Sequence, residues 1–103
     1  MAFSGNVSVT RDWTQLTSGD VTAITIGHRG SQEVEILGTV GATPPANISG
    51  ASGILLERGV AVLNRTMLDL FPGVSGANRV YARIAGGHIG DTVAAATVHV
   101  GHA

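Results

Sequence analysis

Alternation with a period of two, repeated in short segments that end in glycine-rich turns, most constrains what this chain can fold into. It is cleanest in Arg79–Ile84, where Val80, Ala82 and Ile84 alternate with Arg79, Tyr81 and Arg83. Successive side chains of a strand point to opposite faces, so the pattern describes a strand with one apolar face. Gly86-Gly87-His88-Ile89-Gly90-Asp91 follows as a turn, and Thr92 to Val100 returns with Ala94, Ala96, Val98 and Val100 on one side. Near the start, Val7, Val9 and Trp13 alternate with Asn6, Ser8, Thr10 and Asp12. Val21 to Ile26 mixes Val, Ala, Ile and Thr on both faces, which suits a central strand or one covered on both sides. His28-Arg29-Gly30-Ser31 turns the chain into a strand from about Glu33 to Val40, with Val34, Ile36 and Val40 on one face. Glu33, Glu35, Leu37 and Thr39 take the other, where the glutamates are expected to meet solvent or a partner.

Residues 41–52 include Pro44-Pro45 and have no clear period, so they read as a long exposed loop. Ile54 to Glu57 and Val60 to Arg65 flank Arg58-Gly59, the signature of a tight connection between two strands. Thr66-Met67-Leu68-Asp69 has capping-box spacing, a hydroxyl followed three residues later by a carboxylate at a helix start. Pro72-Gly73 stops that helix, and Leu68, Leu70 and Phe71 are expected to plug one end of the core. The expected fold is therefore all-β: a single-domain antiparallel β-sandwich or small barrel of about seven strands, with one short helix near residues 66–71. Residues 1–5 read as an N-terminal arm and residues 6–103 as the sandwich domain.

Composition narrows the function. A length of 103 residues suits one domain. Charged residues are 13% of the chain and hydrophobic ones 44%, against about 25% charged in an ordinary domain. A neutral surface suits lasting contact with other protein, since covering it strands few charges. Lysine is absent, the six arginines are spread along the chain and net charge is −1, so no basic patch for nucleic acid forms. The longest apolar runs fall far short of the roughly 20 residues of a membrane helix. The start lacks a basic segment followed by an apolar stretch, so synthesis in the cytoplasm without secretion is expected.

Constellations that carry chemistry are missing. No cysteine is present, which removes disulfides, thiolate metal sites and a cysteine nucleophile. A Walker phosphate loop needs a lysine, and Gly73-Val74-Ser75-Gly76 lacks nucleophile-elbow spacing. His99 and His102 would face opposite sides of a strand, so no metal or other cofactor is expected. The expectation is a protein that is not an enzyme.

The second half carries a recognisable series: Gly53-Ile54-Leu55-Leu56, Gly59, Leu70-Phe71-Pro72-Gly73, Asn78-Arg79-Val80-Tyr81-Ala82-Arg83 and the ending Val98-His99-Val100-Gly101-His102-Ala103. Over roughly Val21 to Ala103 the chain resembles small β-rich virion structural proteins of tailed phages and prophages of proteobacteria. The resemblance implies a virion component whose partner is the major capsid protein or another virion protein, as a homo-oligomer or multicopy assembly. It supplies no residue-level site. The first expectation is a capsid decoration or cement protein; the alternatives are a tail or neck component, or a carbohydrate-binding receptor-recognition module using Trp13 and Tyr81. Two interfaces are expected. Phe3, a lone aromatic before the first strand, either docks on a neighbouring subunit or belongs to a frayed or folded-back start. Arg79, Tyr81 and Arg83 form either a binding stripe or a solvated strand face. As a binding stripe, it should tolerate Tyr81→Ala without loss of folding.

Overall fold

Four antiparallel strand pairs, nested one inside the next, organise the chain. The computed structural model describes residues 3–10, 12–28, 34–41, 54–56, 59–84 and 96–102. Its strands are β1 (Phe3–Val9), β2 (Thr14–Gln15), β3 (Ala23–His28), β4 (Val34–Thr39), β5 (Ile54–Leu56), β6 (Ala61–Thr66), β7 (Arg79–Ile84) and β8 (Ala96–His102), with helix α1 (Met67–Leu70) after β6. The innermost pair is β4 with β5, then β3 with β6, β2 with β7, and β1 with β8 outermost. Alternate pairs go to alternate sheets. The first sheet has the order β1-β8-β3-β6 and the second β2-β7-β4-β5. This is the strand order of an eight-stranded jelly roll, an antiparallel ribbon wrapped into two facing sheets.

The nesting separates strands that follow one another in the chain. The tight connection expected between two strands at Arg58-Gly59 falls in the short link from β5 to β6, and Gly59 adopts a positive φ of 83°. Yet β5 and β6 lie in different sheets, as do β7 and β8. A turn signal fixes where the chain reverses, while the partner of each strand is decided by which face it can bury. β2, a strand of two residues, was not foreseen; it is too short to show a period. Trp13 does not continue the apolar face of β1, because β1 ends at Val9 and Trp13 leads into β2 in the opposite sheet.

The core is the space between the sheets. Val9, Ile24, Ile26, Val98 and Val100 from the first sheet meet Val34, Ile36, Leu56, Val80, Ala82 and Ile84 from the second, all buried. The alternation read in β7 and β8 selects these inward positions correctly. Val40, expected beside Val34 and Ile36, is instead exposed, because β4 ends at Thr39 and the chain bends into Gly41, whose φ is +78°.

Helix α1 closes one end. Thr66 caps it, its Oγ1 accepting the Asp69 amide at 3.2 Å. Met67, Leu70 and Phe71 share a face by their three- and four-residue spacing. Met67 and Phe71 are buried and Leu70 packs against the core. Leu68, expected in the plug, points the other way and is 74% exposed. Phe71 lies against β4 at Gly38, where a Cβ would come within 2.5 Å of the ring. The loop expected over residues 41–52 and the turn at residues 86–91 lie outside the described residues, apart from Gly41.

Candidate functional site

Arg79, Tyr81 and Arg83 do share the outward face of β7, as period two requires, and the structure supplies each with a partner from its own chain. Arg79 Nε donates to Asp20 Oδ1 at 2.8 Å. Tyr81, only 3% exposed, donates its hydroxyl hydrogen to Gln15 Oε1 at 3.2 Å. Arg83 Nε donates to Glu35 Oε1 at 2.8 Å, and its guanidinium carbon lies 4.4 Å from the centre of the Trp13 ring. Glu35, expected to meet solvent or a partner, is instead buried against Arg83 of its own chain. The β4–β7 register sets it directly opposite Arg83, and the opposite charge makes its burial tolerable. The row Trp13, Arg83, Glu35 and the row Gln15, Tyr81 form a polar layer that ties β2, β7 and β4 together.

Phe3 is the first residue of β1 rather than part of an arm preceding it. It sits opposite His102 of β8, and the two rings stack with centroids 5.8 Å apart. His102 Nε2 in turn accepts the Ser18 amide at 3.2 Å. Phe3 thus packs on its own domain, partly buried against the core.

Among the described residues, three of the exposed large apolar side chains, Val60, Leu63 and Leu68, fall along β6 and its flanks. β6 ends its sheet, with a hydrogen-bonded neighbour on one side only. Its register with β3 shifts: Arg65 opposes Ile24 and Val62 opposes Ile26, so Leu63 and Asn64 together face Thr25. This is a β-bulge, an extra residue that bends a strand and re-aims its side chains. Asn64 takes the left-handed conformation, φ 48°, and its amide donates to Thr25 Oγ1 at 2.8 Å. Leu63, next to the core-facing Val62, points outward by alternation and is 71% exposed, close in sequence to the exposed Leu68 and Val60. An open groove of about 450 Å³ runs along this edge, lined by Ala61, Val62, Leu63, Arg65, Asp69 and Leu70. β5 ends the other sheet, carries the exposed Leu55, and is joined to β6 by residues 57–60 alone. At no more than about 3.6 Å per residue, that link keeps both edges on one side of the sandwich.

Sequence reasoning passed over this edge. One signal was available: in a strand over residues 61–66, Leu63 shares its parity with Arg65, so an apolar side chain falls on the face that carries a charge. Among the described residues, no group of three or more His, Asp or Glu side chains is placed to hold a metal. None of the described helices is long and apolar enough to cross a membrane. Comparison of the chain with protein-family models, with curated proteins and with solved structures finds no match.

Proposed function

We propose that this chain is a non-enzymatic structural protein of a tailed-phage virion, a capsid decoration protein that binds the assembled shell in many copies. The observation that carries the reading is the β6–α1 edge, where Val60, Leu63 and Leu68 stand exposed on a chain with only 13% charged residues. Apolar side chains left exposed along an edge strand and the segments flanking it suit a contact with other protein. Two further points support it. Jelly rolls recur in viral shells, an analogy of fold that does not by itself assign function. The series in the second half resembles small virion proteins of tailed phages.

Individual contacts can be weak in such a role, because bridging two or more capsid subunits raises effective concentration. A protein that binds only the assembled shell stabilises that shell by mass action. The copy number per virion tests the placement. About sixty copies or more fit decoration, whereas about six or twelve would match tail or neck symmetry and overturn it. Particles lacking the protein should also release DNA at lower temperature; equal heat resistance would remove the cementing role.

The carbohydrate reading has less aromatic surface to rest on. Tyr81 is buried, and one face of Trp13 is occupied by Arg83. A glycan array should stay silent, and a signal abolished by Trp13→Ala would favour a receptor-recognition module instead.

A further inference from the structure

We infer that the β6–α1 edge is a two-fold interface in which a second copy of this chain docks. The inference rests on reading that edge as an assembly surface and names its occupant. Three features of the edge point to the chain itself.

The bulge at Leu63-Asn64 interrupts the regular row of backbone donors and acceptors that an added strand needs. The edge is thus covered by side-chain packing and not by extension of the sheet. On the same surface a knob lies beside a hole: Leu63 projects next to the groove formed with Ala61, Val62 and Leu70. A two-fold axis through this edge brings each Leu63 to the other copy's groove, because an isologous contact repeats every interaction in reverse.

Charge supplies the third feature. Arg65 and Asp69 both line the groove, both are exposed, and neither forms an ion pair with another described residue. One cation and one anion on a single face are self-complementary. A second copy related by two-fold symmetry pairs Arg65 with Asp69 of its partner twice over, satisfying all four groups at once. Since the interface closes on itself, association stops at the dimer and does not grow into a fibre.

Sedimentation of the purified full-length chain over a concentration series tests this, with circular dichroism confirming that each variant is folded. The wild-type chain should dimerise, and L63D should raise the dissociation constant at least about tenfold. R65D places two acids on each face and D69R two bases, so each variant alone should weaken association by about tenfold or more. Mixed together, R65D and D69R should form a heterodimer close to wild-type affinity, which would also show that both are folded. A wild-type chain that stays monomeric into the millimolar range overturns the inference, as does a mixture that associates no better than its components. The capsid reading fails separately. A monomer that binds capsids through Leu63 removes the second copy but keeps the edge as an assembly surface. A Leu63-dependent dimer with no affinity for capsids supports the interface and removes the decoration role.

Discussion

Arg83 on β7 and Glu35 on β4 stand directly opposite each other and are joined by a 2.8 Å ion pair with only 13% and 10% of the side chains exposed. Removing one partner leaves the other charge buried and uncompensated, which costs about 3–5 kcal/mol. Arg83→Ala and Glu35→Ala should each lower stability by about that much in denaturant melts. The double replacement Arg83→Met with Glu35→Leu should recover most of the loss, since an apolar pair of similar size has no charge to desolvate. A double variant as unstable as the worse single one would show that the pair is not the source of the effect. Arg79 and Asp20 provide the contrast: Asp20 is largely exposed, and Asp20→Ala should cost no more than about 1 kcal/mol.

Tyr81 separates folding from binding. Its ring is buried and its hydroxyl donates to Gln15. Tyr81→Phe should cost about 1 kcal/mol, the worth of one hydrogen bond, and Tyr81→Ala about 3–5 kcal/mol from the cavity left behind. The expectation that Tyr81→Ala spares folding while releasing a partner is thereby replaced. A normal melting temperature for Tyr81→Ala would restore it.

Gly38 and Phe71 set the position of the short helix. A methyl group at residue 38 would stand 2.5 Å from Phe71 Cδ2 and 2.8 Å from its Cγ, so the ring must move out of the core. Gly38→Ala should destabilise by about 1–3 kcal/mol. Gly73→Ala, with open space around it, should change stability little. Equal melting curves for the two variants would contradict this packing.

Asn64 holds the bulge. A side chain branched at Cβ resists positive φ, whereas glycine accepts it freely. Asn64→Val should therefore cost about 1–3 kcal/mol, and Asn64→Gly should be neutral or slightly stabilising because the backbone amide still reaches Thr25. Thermal unfolding of the two variants side by side checks the order; a more stable Asn64→Val would rule out the left-handed bulge.

The division between what was legible in the sequence and what was not follows from the range of each interaction. Period two is a property of a few consecutive residues, so the inward positions Val80, Ala82 and Ile84 and the pair Val98 and Val100 could be read directly, as could the Thr66 cap. The burial of Glu35 could not, because it depends on register with Arg83, 48 residues away, and a charged residue in an alternating strand reads as solvent-facing until its partner is placed. The same holds for Tyr81, which is buried on a face its own strand leaves outward, and for Phe3, which pairs with the far end of the chain. For Leu63, alternation already placed it on the face opposite Val62; what it could not show is that β6 ends its sheet, which is decided only when the strands have paired. Local alternation thus determined that the chain is all-β, a sandwich or small barrel, and many of the residues that line its core. The nested pairing decided which charges are buried and which apolar edge is left open, because those depend on strands that meet only when the ribbon has folded.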